Sequence, residues 1–179
     1  MQVEPIWGPA AQQRIFRELV EAFSRPGEVR GVSRRAALAT LMDGETTLAD
    51  PHAQLTAADW PLLQARHSAP ETARYVLADG RRTPDFAPCL GSLESPELGA
   101  TLLIEVDRVD DGPLRLDLAG PGVAGTRTMR IAGLHAAWLE QRATWNAGFP
   151  MGVDVVLADA ARLVALPRTT RITRVTGES

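Results

Sequence analysis

The sequence predicts an α/β domain, a mixed β-sheet flanked by helices, and three observations lead there. Short apolar, β-branched runs are interleaved with segments whose apolar residues recur at helical spacing. Two pairs of runs are separated by turn chemistry, at Asp110-Asp111-Gly112 and at Ala158-Asp159-Ala160-Ala161. Both predict hairpins, so part of the sheet must be antiparallel. The length, 179 residues, fits one domain over 1–179.

The elements follow in order. Pro9 to Phe23 places Ile15, Phe16, Leu19, Val20 and Phe23 on a helical stripe, with proline in the first turn. Ser24-Arg25-Pro26-Gly27 stops that helix. Glu28 to Val32 reads as a short strand and Ala36 to Met42 as a buried helix. Thr46 to Leu48 reads as a strand, and Asp59 caps a short helix over Trp60 to Ala65. Arg74 to Ala78 is a strand that ends at Asp79-Gly80. Arg81 to Leu98 is irregular, with a helical turn expected around Phe86 to Leu90. Thr101 to Val106 has the character of a central strand, hairpin-paired with Leu114 to Leu118. Thr126 to Ile131 alternates as a strand, and Leu134, Trp138 and Trp145 stripe the next helix. Val153 to Leu157 and Arg162 to Leu166 form the second hairpin, and Ile172 to Val175 the last strand. Thr176 to Ser179 reads as a disordered end.

Composition removes several classes of function. The net charge of −3 argues against a general DNA binder, which needs positive charge to release counterions. The N-terminus has neither a basic region nor an apolar core of a signal peptide, and no apolar run is long enough to span a bilayer. A single cysteine, Cys89, allows no internal disulfide, so a cytoplasmic protein is expected. All 19 basic residues are arginine. With no lysine, pyridoxal phosphate cannot be held as an internal aldimine and a phosphate loop ending in Gly-Lys is excluded. Binding of charged ligands falls to planar guanidinium groups.

Gly120-Pro121-Gly122-Val123-Ala124-Gly125 matches the dinucleotide fingerprint G-x-G-x-x-G. That fingerprint requires a strand before it, a helix beginning within it, and an acidic residue about 20 positions on at a strand end. Only the first requirement is met. Thr126 to Ile131 continues as a strand, and Glu140 falls inside a helix. The glycines therefore serve a tight connection between strands, where they supply positive φ angles. An anion nest at Gly120 and Gly122, with Arg127 and Arg130 nearby, stays open as a further reading.

Other constellations are sparse. His52, His67 and His135 are isolated and read as surface or helix histidines, so no metal site is expected. Cys89 reads as a buried, inert thiol, and no G-x-S-x-G elbow occurs. Nothing in the spacing brings Glu94, Glu97 and Asp154 together. Arg168, between Pro167 and Thr169-Thr170, is either an anion-binding residue or a turn arginine. The residues give no catalytic set.

Several motifs together carry a resemblance. Phe149-Pro150-Met151-Gly152-Val153-Asp154 and the closing Pro167-Arg168-Thr169-Thr170 are similar to the F-P-x-G-x-D and P-R-T-T runs of the PhnH family, subunits of the bacterial carbon–phosphorus lyase system. Ser24 to Gly27 resembles that family's S-x-P-G, with Pro26 and Gly27 matching. Pro96-Glu97-Leu98-Gly99-Ala100-Thr101 resembles its P-E-x-G-A-T, and Leu118 to Val123 its L-x-G-x-G-I loop. The resemblance weakens between Arg34 and Ala69. It implies a homodimer with a fold similar to pyridoxal-phosphate-dependent transferases, without that cofactor. It also implies PhnG, PhnI and PhnJ homologues as partners, with PhnL acting alongside them. The implied role is in ATP-dependent formation of ribose 1-alkylphosphonate 5-triphosphate, as an assisting or structural subunit that is not itself catalytic. A stand-alone enzyme acting on a phosphorylated small molecule, held by Arg168 and the Gly120–Gly122 turn, is the alternative.

Overall fold

The computed structural model describes residues 5–175, so the expectation for Thr176 to Ser179 lies outside the described residues. Helix α1 runs Pro9–Ser24 and α2 Arg34–Leu41. Strand β1 (Thr47–Ala49) is followed by α3 (Asp59–Leu63), β2 (Arg66–His67) and β3 (Tyr75–Asp79). Then come β4 (Thr101–Glu105), β5 (Arg108–Ala119) and β6 (Arg127–Ala132). Helix α4 (Ala137–Trp145) leads to β7 (Asp154–Ala158), β8 (Leu163–Leu166) and β9 (Arg171–Arg174).

Six strands form the main sheet in the order β2-β1-β3-β4-β7-β8, parallel except for antiparallel β8. Its central strands are nearly continuous apolar runs because both of their faces are covered. Leu77, Leu103, Val156 and Leu163 pack on one face against Ile15, Leu19, Ala37 and Leu63 of the three N-terminal helices. Val76, Leu102, Ile104, Leu157 and Leu166 pack on the other against Trp138 and Trp145 of α4. That second core also takes in Leu116, Leu118, Met129 and Ile131, which belong to a separate three-stranded sheet, β6-β5-β9. Among the described residues no helix is long and apolar enough to cross a membrane.

The hairpin predicted between Thr101–Val106 and Leu114–Leu118 does not form. β4 and β5 lie in different sheets, because the chain leaves the first after Glu105. Val106 N–H donates to the Ala158 carbonyl and Asp107 N–H to that of Ala132, which hands the chain across. The turn chemistry is genuine but serves another end. Asp110 (φ 64°) and Gly112 (φ 143°) form a bulge inside β5, where both Val109 and Leu114 oppose Ile131. Glu28 to Val32 supplies only an isolated bridge, Arg30 to Leu163, instead of a strand. Phe86 to Leu90 is not helical, and the irregular region instead carries a 3₁₀ turn at Pro96–Leu98. The second hairpin, β7 to β8, forms as predicted.

The glycine loop joins β5 to β6, which pair antiparallel from Leu118 opposite Arg127 onward. No helix begins in it, so the dinucleotide geometry is absent.

Candidate functional site

The segments that carry the resemblance lie far apart in sequence, and the fold brings them together at one end of the main sheet. Thr101 and Asp154, the first residues of β4 and β7, are partners in register there. The Arg168 guanidinium lies across this junction. Its Nη2 donates to Asp154 Oδ2 at 2.9 Å and its Nε to Oδ1 at 3.4 Å. Its Nη1 donates to the carbonyls of Pro96 (2.8 Å) and Pro150 (3.2 Å). The Arg168 backbone N–H adds a bond to Asp154 Oδ1 at 2.7 Å. The two side chains are only 13% and 22% exposed, so this ion pair is largely removed from water. One arginine thus ties three of the motif segments to each other.

The glycines of these segments are places of close approach. A Cβ at Gly99 would run into the Gly152 carbonyl and touch the Arg168 guanidinium. Gly152 itself (φ 142°) packs against Asn146, the residue after α4. The Asn146 side chain completes the lock, accepting from Val153 N–H at 2.7 Å and donating to its carbonyl at 3.2 Å.

A second convergence lies alongside. Gly122 (φ 80°) backs onto the Ser24 carbonyl and Pro26, and Gly27 (φ 79°) onto Leu118 and Arg127. Gly120 packs against the Thr169 carbonyl. The N-terminal Ser24–Gly27 turn, the glycine loop and the 167–170 segment are therefore one packed unit. Arg127 pairs with Glu28 at 3.1 Å, beside a polar cleft also lined by Gly27, Arg30, Asp110 and Thr128.

Arg142, which sequence reasoning passed over, supports the 167–170 segment from below. It lies on α4 and is 92% buried, its Nη2 donating to the carbonyls of Pro167 (2.7 Å) and Thr170 (3.1 Å). Burial pushes its pKa down to about 10, with Asp154 acting in the opposite sense, and it stays charged at neutral pH. Its position after Trp138 and before Trp145, at i, i+4 and i+7, was the available signal that it faces the core.

The carboxyl ends of the parallel strands, where open α/β sheets commonly bind ligands, carry a different set. His52, expected at the surface or on a helix, is buried in the turn after β1, with its ring against Phe86 and Trp138. Its Nδ1 accepts from Asp79 N–H at 2.9 Å, so the neutral ring carries its proton on Nε2, 3.0 Å from Asp85 Oδ1. Arg34 bonds to Glu105 at 2.8 Å, beside a cavity of about 140 Å³ lined by Trp7, Gln54, Leu55 and Asp59. Glu94 and Glu97 are exposed, and the carboxylate that pairs with Arg168 is that of Asp154. Cys89 is half-buried against the second core. Among the described residues, no group of three or more His, Cys, Asp or Glu side chains is placed to hold a metal ion.

Comparison with known proteins agrees with this convergence of motifs. Residues 6–173 match the model of a family described as bacterial phosphonate metabolism protein (PhnH). The chain is 42% identical over 173 residues to a putative C-P lyase subunit protein, HtxG, of Stutzerimonas stutzeri, covering 93% of this chain and 88% of that protein. It is 29% identical over 181 residues to the alpha-D-ribose 1-methylphosphonate 5-triphosphate synthase subunit PhnH of Rhizobium meliloti (strain 1021), covering 90% of each. A chain matched from its first helix to its last strand, with the matching segments locked together by Arg168 and Arg142, belongs to the PhnH family of phosphonate metabolism proteins.

Proposed function

We propose that this chain is a subunit of a carbon–phosphorus lyase complex, where it assists the ATP-dependent formation of ribose 1-alkylphosphonate 5-triphosphate. In that reading it is a structural component of a multi-subunit transferase and carries out no chemistry alone. One observation carries this. The charged groups of the motif segments, Arg168 and Asp154, face each other and neighbouring carbonyls, at the amino ends of β4 and β7 and away from the usual ligand edge. The same engagement weighs against a stand-alone enzyme that holds a phosphate on Arg168.

The reading extends to cytoplasmic homologues of PhnG, PhnI and PhnJ as direct partners, with PhnL acting functionally, and to pairing of two copies of this chain. It also takes residues 1–179 as one domain related to the pyridoxal-phosphate-dependent transferases. The mostly parallel sheet is compatible with that relation, and a chain without lysine has no side-chain amine for the cofactor. Contact with anionic groups of ATP or a phosphonate is assigned to Arg127 and the Gly120–Gly122 crest, because Arg127 borders an open polar cleft. Co-expression with the PhnG, PhnI and PhnJ homologues tests the reading. A stable complex containing this chain is expected. Turnover of ATP and methylphosphonate by the chain alone, at the rate of the full assembly, would contradict it.

A further inference from the structure

The outer face of the three-stranded sheet holds arginines that form no ion pair within the fold among the described residues. Along β5 the inward residues Leu116 and Leu118 are buried, and Arg115, Asp117 and Ala119 point the other way. On β6 the outward residues are Thr128 and Arg130, and on β9 they are Arg171 and Thr173. The register sets Arg115 directly opposite Arg130, Asp117 between Thr128 and Thr173, and Ala119 beside Arg171. Like charges directly across a strand pair, with Cβ atoms about 5 Å apart, destabilise a sheet. Several exposed arginines elsewhere are ion-paired, as with Arg25 and Glu21, Arg66 and Glu45, or Arg108 and Asp111. Among the described residues Arg14 and Arg17 on α1 are not, but they do not face each other across a strand pair. Among the described residues Arg115, Arg130 and Arg171 form no ion pair. A chain of net charge −3 thus leaves three guanidinium groups without an ion pair on one exposed sheet face. Arg130 reaches only the Gly112 carbonyl, at 3.5 Å, and Asp117 is the one carboxylate among these outward residues.

We propose that this face docks onto an acidic surface of a partner protein, whose carboxylates relieve the Arg115–Arg130 repulsion. The proposal rests on the subunit reading above and says where the contact lies. Planar guanidinium forks match carboxylates with two parallel hydrogen bonds. A protein partner fits better than a small polyphosphate for two reasons. Arg171 stands beside Ala119, four residues along β5 from Arg115 or about 13 Å, a span suited to a protein surface. Between them lies Asp117, held by Thr128 Oγ1 at 2.6 Å, which repels a polyphosphate but can meet a donor on a protein.

The test is capture of the co-expressed PhnG, PhnI and PhnJ homologues by the tagged full-length chain. It compares wild type, the double variant Arg115→Glu/Arg130→Glu, and a control of equal charge change, Arg14→Glu/Arg17→Glu on α1. The sheet-face variant is expected to lose at least tenfold in capture, with the control unchanged and wild-type capture weakening as salt rises. The neutral pair Arg115→Gln/Arg130→Gln gives the same reading should the charge reversal disturb folding. Full capture by folded sheet-face variants, where wild type also assembles, overturns the docking face alone. No capture by wild type overturns the subunit reading and this one with it. Inorganic tripolyphosphate serves as the small-anion probe. A thermal shift seen in wild type and lost in the variant, with assembly intact, would make the face a phosphate site and overturn the proposal.

Discussion

Arg168 lies within the 167–170 segment and Arg142 beneath it, while Arg115 and Arg130 sit on the outer face of the adjoining small sheet. Arg142 is buried and bonded to main-chain carbonyls, and Arg168 is largely buried and bonded to a carboxylate and carbonyls. The second two are exposed, opposite each other and unpaired with any acid among the described residues. A buried cation must find partners or cost several kcal/mol, so its surroundings reveal that its role is internal. An exposed cation costs little when unpaired, so a cluster of them directs attention outward. Motif residues and interaction residues are therefore different residues here, although both groups are arginine.

The sharpest way to break this comparison is at the junction. Arg168→Ala leaves Asp154 half-buried without its cation and removes donors from two carbonyls. A loss of about 2–4 kcal/mol of stability is expected by chemical denaturation. Adding Asp154→Ala should then cost less than it does in the wild-type background, because the pair acts as a unit. Arg142→Met keeps most of the side-chain volume but abandons the Pro167 and Thr170 carbonyls. The expected loss is about 1–3 kcal/mol.

A third prediction concerns acid. Burial alone would raise the Asp159 pKa, but bonds from the N–H groups of Val109, Ala161 and Arg162 outweigh it and hold the carboxyl below its ordinary value of 3.8. A depressed folded pKa means stability that is present above the unfolded value and lost as pH falls through the folded one. Urea midpoints should fall below about pH 4, and Asp159→Asn should flatten that fall. At the other end of the scale, Arg115→Gln should change stability by no more than about 0.5 kcal/mol, with a gain the more natural sign because it relieves a cross-strand repulsion.

Much of the architecture could be read from the chain. Runs such as Leu102 to Ile104 and Val155 to Leu157 are apolar at consecutive positions because helices and a second sheet cover both faces. The β7–β8 hairpin and the helix-free glycine loop were equally legible. The false hairpin at Asp110-Asp111-Gly112 shows the limit. Positive-φ residues announce a local change of direction, and a bulge inside β5 satisfies that as well as a turn does. The choice between them depends on which sheet β5 joins, a property of the whole fold. Arg168 was ambiguous for a related reason. Its partners, Pro96, Pro150 and Asp154, lie 14 to 72 residues away, and only the sheet register brings them together. The burial of His52 was not legible because nothing near it in sequence announces Asp79 and Asp85 as partners.

The most direct test crosses the two arginine groups with two readouts, unfolding of the isolated chain and capture of the co-expressed partner subunits. Arg168→Ala should lower the unfolding midpoint strongly, and at temperatures where it is still folded it should capture partners normally. Arg115→Glu/Arg130→Glu should unfold like wild type and fail in capture. A stable Arg168→Ala chain that had lost only ATP or phosphonate binding would contradict the account, because the motif arginine would then serve a ligand and not the fold.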